Sequence, residues 1–255
     1  MRECIEKISN FIDEHKEEMI DFWRNIVNLE SSAREKANVD ILAEYLKSEF
    51  EKEGLECRLV EVGPDNGKSL IGVLGNGINK EPVIFSGHID TVFSKGSFGD
   101  KPFRIEGGKA YGPGVLDMKG GVVITLFIIK ALRNIGYKER PIKIVLLADE
   151  EKGHQNASTP ELLMTETKGG LCAFNMETGL IDNSLCVGRK GGGVCYVTVK
   201  GKEAHAGNDY LIGRNAIEEA ANKIIDIQKL TDLNQDTTVS VTIVKGGSVQ
   251  NSIPV

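Results

Sequence analysis

An α/β fold is predicted from three features of the chain. Short apolar runs of strand length, at 56–62, 69–74, 83–86 and 142–149, alternate with segments of helical periodicity. Turn signals such as Gly75-Asn76-Gly77 separate them. The helix expected from Lys119 through Leu132 is apolar nearly all round, which suits a helix buried against a sheet. Strand, helix and strand in succession imply a sheet with helices on its faces.

The elements come in order along the chain. Ile5, Ile8, Ile12, Met19, Phe22, Trp23, Ile26 and Val27 recur at near-helical spacing, so residues 2–30 read as one amphipathic helix with His15 on its solvated face. A second helix covers 38–53 and is ended by Gly54. Residues 104–111 read as a short hairpin around Gly107-Gly108, and the apolar helix from Lys119 ends near Gly136. The segment 171–176 is a further short run of buried type. After Gly179 the texture changes. Gly188-Arg189-Lys190-Gly191-Gly192-Gly193 forms a junction that lacks the GxxxxGK[ST] order of a phosphate loop. Then come an alternating strand at 194–199, a turn at 200–202, a loop bearing His205, a helix at 215–230 and a strand at 237–244. This second part reads as a smaller domain. The expected division is 1–187 and 188–255.

A chain of 255 residues suits one large domain or two small ones. Its net charge of −6, with no basic stripe interleaved with aromatics, argues against a nucleic-acid partner. No apolar run is long enough to span a bilayer, and the N-terminus is polar from Arg2 onward. No membrane partner and a cytoplasmic location are therefore expected. The five cysteines are odd in number and lack CxxC spacing, so they read as reduced structural thiols. The ending Ser252-Ile253-Pro254-Val255, beyond a strand and without a polar tail, leads to the expectation that the chain is cut short.

The run Val83 to Val92 delivers His88 and Asp90 at i and i+2, so both side chains leave one face of a strand. A metal-bound imidazole usually has its other ring nitrogen held by a carboxylate, but two near neighbours on one strand are not expected to form that pair. Downstream, Asp117 lies in Tyr111-Gly112-Pro113-Gly114-Val115-Leu116-Asp117-Met118-Lys119-Gly120-Gly121. Glu150 and Glu151 close the run 142–149, and Glu177 closes the run 171–176. Clusters that each end a buried-type run suggest one convergent metal site. Each also has a plainer alternative. Asp149 to Lys152 could form a solvated turn, and Asp117 could cap the following helix. Glu177, His154 and His205 could be ordinary loop residues.

Three motifs in register decide between these alternatives. Ser86-Gly87-His88-Ile89-Asp90-Thr91-Val92, the segment Tyr111 to Gly121, and Ala148-Asp149-Glu150-Glu151-Lys152-Gly153 resemble the co-catalytic zinc family of glutamate carboxypeptidases, acetylornithine deacetylases, succinyl-diaminopimelate desuccinylases and aminoacylases. The look is nearest to the glutamate carboxypeptidases. The resemblance implies a mixed-sheet α/β zinc-peptidase catalytic domain with an inserted, smaller α+β lid or dimerisation domain, here incomplete. It implies that His88 binds one metal, Asp117 bridges two, Glu151 binds the second and Glu177 completes the first. It makes Glu150 the general base, Asp90 a carboxylate that tunes the site, His205 a lid histidine that stabilises the oxyanion, and Asn251 a residue that holds substrate. The family's last metal ligand, a histidine, has no counterpart among His15, His88, His154 and His205.

The chemistry suits these residue types. Two divalent ions can share a water and hold both reacting oxygens. Zinc accepts imidazole nitrogen and carboxylate oxygen, with cobalt or manganese as alternatives. The expected reaction is hydrolysis of an amide in a small peptide or an N-acyl amino acid, with a homodimer through the lid. Two other readings stand beside it. One is a catalytically silent fragment or dimerising module lacking the final ligand. The other is a di-metal phosphoesterase, which the ligand order disfavours.

Overall fold

A computed structural model describes residues 2–100, 102–182 and 184–255. They divide into two compact units, Met1–Ser184 and Leu185–Val255.

The first unit begins with two helices where one was expected, α1 (Arg2–Glu14) and α2 (Lys16–Asn28). The break is at His15, whose backbone leaves the helical region (φ −107°, ψ 17°). Its Nδ1 donates to the carbonyl of Phe11 at 2.7 Å and its ring stacks on Phe11. A side-chain donor competing for a helical carbonyl in this way disfavours continuation of the helix. Then come α3 (Lys36–Lys52), β1 (Glu56–Glu61), β2 (Lys68–Leu74), β3 (Val83–His88), the hairpin β4 (Arg104–Glu106) and β5 (Lys109–Tyr111), α4 (Lys119–Asn134), β6 (Ile142–Leu147), α5 (Thr159–Thr167) and β7 (Cys172–Asn175). Helix α5 was not anticipated. Its signal is short: Ser158 before it and Pro160 in its first turn, where a missing N–H costs nothing.

Five strands form one mixed sheet in the order β1-β2-β6-β3-β7. β1 and β2 are antiparallel, as are β2 and β6, whereas β3 runs parallel to both β6 and β7. Alternation along the strands divides the core in two. Leu70, Phe85, Ile144 and Leu146 pack with Phe22, Ile26, Leu42, Leu46, Val122 and Leu126 from α2, α3 and α4. Ile71, Ile84, Val145 and Leu147 point to the other face, where Leu162 and Leu163 of α5 cover them. At the central strands β2, β3 and β6 both faces of the sheet are thus buried, whereas the edge strand β7 is exposed.

The second unit contains α6 (Ala216–Gln228) and the two-residue antiparallel pair β8 (Ala204–His205) and β9 (Ser252–Ile253). The side chain of Asn215 accepts from the N–H groups of Ile217 and Glu218 and so caps α6. Residues 194–199 and 237–244, expected as strands, form no strand among the described residues; Thr237 makes only an isolated bridge to Asp232. Tyr196, Val197, Ile243 and Val244 stay exposed, and Val199, Val239 and Val241 are only partly buried. Among the described residues no helix is long and apolar enough to cross a membrane.

Candidate metal centre

Parallel strands deliver their carboxyl ends to one edge of a sheet, and such an edge is where ligands gather in open α/β folds. Here β3 lies between β6 and β7, so His88 at the end of β3 sits between the segments that extend its two neighbours. The ladder continues past the strands: Ile89 N donates to Leu147 O at 2.8 Å and Met176 N to Ser86 O at 2.8 Å. Glu150 and Glu151 therefore arrive on one side of His88 and Glu177 on the other.

Asp117 comes from the long loop before α4, and that loop is fastened at several points. Trp23 Nε1 donates to Val115 O at 3.1 Å. The ammonium of Lys119 donates to the carbonyls of Ile26 (2.8 Å) and Leu29 (3.0 Å), so a buried cation closes the C-terminus of α2. His88 N donates to the sulfur of Met118 at 2.9 Å. That contact requires a glycine at position 87, where an added Cβ would lie 2.2 Å from Met118 Cε. At Gly121 a Cβ would fall 1.9 Å from Met176 O, so glycine there lets the start of α4 approach the chain just before Glu177. The glycines of the motifs thus serve the closeness of three segments.

The donor atoms converge. His88 Nε2 lies 3.1 Å from Asp117 Oδ1, 3.2 Å from Glu177 Oε1 and 3.9 Å from Glu150 Oε2. Two ligands of a tetrahedral zinc ion, each about 2.0–2.1 Å from it, stand about 3.3 Å apart. The spacing of His88, Asp117 and Glu177 therefore fits a divalent ion between them. Two donor sets can be drawn among the described residues, His88-Asp117-Glu177 and His88-Glu150-Glu151. Both depend on the single imidazole of His88.

Behind the imidazole stands Asp90. His88 Nδ1 is 3.1 Å from the Asp90 carbonyl and 3.3 Å from its Oδ1, and both side chains are wholly buried. This corrects the expectation that near neighbours would not pair: β3 ends at His88, and Asp90 follows in the loop just beyond it. Asp90 also accepts from the N–H groups of Glu150 (3.3 Å) and Glu151 (3.0 Å). One carboxylate thus fixes the imidazole and the turn that carries both glutamates.

Charge among the side chains of the site is set by these contacts. Burial pushes the His88 imidazole down, but Asp90 and Glu177 push it up further, to about 11. Burial raises the Glu151 carboxyl, with Asp117, Asp90 and Glu150 adding to the rise and His88 opposing it. Burial pushes the Lys119 ammonium down to about 7, against the carboxylates of Glu30 and Asp90. The side chain of Glu150 is about half exposed (47%).

Several plainer alternatives fail. Met118, not Asp117, occupies the cap position of α4. Asp149 is fully buried and not part of a solvated turn, and His154 is bonded to it at 3.0 Å instead of lying free in a surface loop. In the second unit His205 is exposed, and its Nδ1 accepts from the N–H groups of Gly207 and Asn208, both at 3.1 Å. A neutral ring held so carries its proton on Nε2. Asn251 lies beside it: Asn251 O accepts from Ala206 N at 2.9 Å, next to the His205–Ser252 pairing. Lys119, Asp149, Asn66 and Thr159 were not singled out from the sequence. For Asp149 a signal existed, because strand alternation puts it on the buried face of Val145 and Leu147.

A sequence model of peptidase family M20/M25/M40 matches residues 84–246, a stretch that includes His88, Asp90, Asp117, Glu150, Glu151, Glu177 and His205. The chain belongs to this family. Among relatives of the M20/M25/M40 chain is carboxypeptidase G2 of Pseudomonas sp. (strain RS-16), 31% identical over 232 residues that make up 90% of this chain and 55% of that protein. A probable succinyl-diaminopimelate desuccinylase of Staphylococcus aureus (strain Mu50) is 28% identical over 213 residues, 80% of this chain and 50% of that one. The chain spans about half the length of these curated relatives. A similar fold is seen in a solved tripeptidase from Staphylococcus aureus subsp. aureus Mu50, with a TM-score of 0.69 at 19% identity over 92% of this chain and 62% of that one.

Proposed function

We propose that the chain is the metal-binding part of a hydrolase that cleaves an amide bond in a small peptide or an N-acyl amino acid. The observation that carries this reading is the position of His88 Nε2, 3.1–3.2 Å from carboxylates on two other segments, with Nδ1 held on Asp90. An imidazole backed by a carboxylate and fronted by acidic oxygens is a metal-ligand arrangement. Membership of the peptidase family and the names of the relatives support the reaction class.

In this reading His88, Asp117 and Glu177 hold one divalent ion, most readily zinc, and Asp117 with Glu151 addresses a second. Such ions, when bound, supply a more acidic water and polarise the amide carbonyl. Glu150, half exposed, takes the proton of the attacking water and passes it to the leaving amine. Asp90 orients His88 and fixes the glutamate turn. His205, with its proton on Nε2, is a hydrogen-bond donor suited to a developing oxyanion, and Asn251 beside it is suited to hold the substrate. Residues 188–255 serve as the lid, and through it the enzyme forms a homodimer.

Glu150→Gln tests the reading. It should reduce hydrolysis of N-acyl amino acids and dipeptides by about 10²–10⁴-fold while metal uptake persists. Undiminished hydrolysis would remove Glu150 as the base. A second reading, a catalytically silent or dimerising piece, draws on the dependence of both donor sets on His88 alone. Absence of hydrolysis in the metal-loaded chain would favour it.

A further inference from the structure

We infer that Asp149 is a positioning residue that holds the Glu150–Glu151 turn in register for metal binding, an inference that rests on reading Glu151 as a ligand. Asp149 leaves the end of β6 toward the α5 face and is fully buried. Its carboxylate accepts from Thr159 Oγ1 at 2.9 Å to each oxygen, from Asn66 Nδ2 at 3.1 Å and from His154 Nδ1 at 3.0 Å. Its carbonyl accepts from Lys152 N (3.3 Å) and His154 N (3.1 Å). Three separate segments therefore meet on one side chain: the loop after the turn, the start of α5 and the loop between β1 and β2.

Asn66 extends the network. Its Nδ2 also donates to Gln155 O at 3.1 Å, and its Oδ1 accepts from Lys152 Nζ at 2.9 Å. The three-residue turn Glu150–Lys152 is thus pinned between two buried carboxylates. Asp90, on the side of His88, takes the N–H groups of Glu150 and Glu151. Asp149, on the far side, takes donors from His154 and Thr159, further along the chain. Burying a carboxylate costs a great deal unless donors surround it, and an ionised carboxylate is an acceptor only, with room for several donors at once. An amide at this position would turn N–H groups toward the donors of Asn66 and His154, and a network left partly unsatisfied displaces its members. Asp149 is in neither donor set, so its influence reaches the metal only through the turn.

The test is Co²⁺ titration of the metal-free full chain, monitored by visible absorption, with thermal unfolding in parallel. Four variants are compared with the parent: Asp149→Asn, Glu151→Gln, Thr159→Val and Thr159→Ser. The expected result is that Asp149→Asn weakens, by about tenfold or more, the same metal equivalent that Glu151→Gln weakens. Thr159→Val should move it the same way by less, and Thr159→Ser should restore parental binding and spectrum. If Glu151→Gln weakens an equivalent while Asp149→Asn and Thr159→Val do not, the positioning role is overturned and the ligand reading survives. If Glu151→Gln changes nothing, the ligand reading fails and takes the positioning role with it. Should Asp149→Asn fail to fold, Thr159→Val decides: parental Co²⁺ binding and spectrum in that variant would overturn the role.

Discussion

The two units of this chain answer the same kind of sequence pattern in opposite ways. In Met1–Ser184, apolar alternation becomes a five-stranded sheet with a buried face on each side. In Leu185–Val255, alternation at 194–199 and 237–244 becomes no ladder, and the buried apolar side chains described there are Ala216 and Ile253. The difference teaches that a period of two states what a segment could pair as, not whether a partner is supplied. A strand is stabilised by cross-strand neighbours and ladder hydrogen bonds, so it is a property of pairs. Helix α6 forms because its hydrogen bonds are internal and Asn215 caps it.

The largest expected effects test whether the two units share one reaction. Glu150→Gln should lower hydrolysis by about 10²–10⁴-fold. His205→Ala, in the loosely packed unit, should lower it by about 10²–10³-fold if its Nε2–H meets the oxyanion. Steady-state kinetics on both variants, with metal content measured, sharpens the comparison. A His205→Ala variant with parental kcat would confine the chemistry to the first unit.

Next in size is packing. Leu146→Ala, at a residue with no exposed surface, should destabilise the chain by about 2–5 kcal/mol. Val197→Ala, at an exposed position, should stay within about 0.5 kcal/mol. Urea unfolding of both variants checks this. Equal losses would mean that 194–199 is packed after all.

Smaller still is a pH effect within the site. His88 is raised to about 11 in the metal-free protein, so at neutral pH it holds a proton that a metal must displace. Metal affinity should therefore strengthen as pH rises from 6 to 8, by up to about tenfold per pH unit for each proton released. Calorimetry in buffers of different ionisation enthalpy counts that proton directly. No release would mean that the imidazole is neutral before metal arrives.

Much of the first unit was legible because its signals are local. The ends of β3, β6 and β7 carry His88, Glu150 with Glu151, and Glu177, and parallel pairing in the order β6-β3-β7 brings them to one edge. The features that escaped the sequence depend on contacts between distant segments. Asp90 meets His88 from the loop just past the end of β3. Lys119 looks like an ordinary surface cation until the C-terminus of α2 is laid over it. Asp149 looked like the first residue of a wet acidic turn, although alternation already placed it on a buried face. At the break between α1 and α2, His15 bonds to and stacks on Phe11, contacts that its place in the sequence does not announce.

The most direct test of the central claim is zinc content per chain after loading and removal of excess, by elemental analysis, for the parent and His88→Ala. At least one tightly held ion in the parent and none in the variant is the predicted result, since both donor sets depend on that imidazole. A parent that holds no zinc, or a variant that holds as much as the parent, would contradict the metal centre assigned to His88, Asp117 and Glu177.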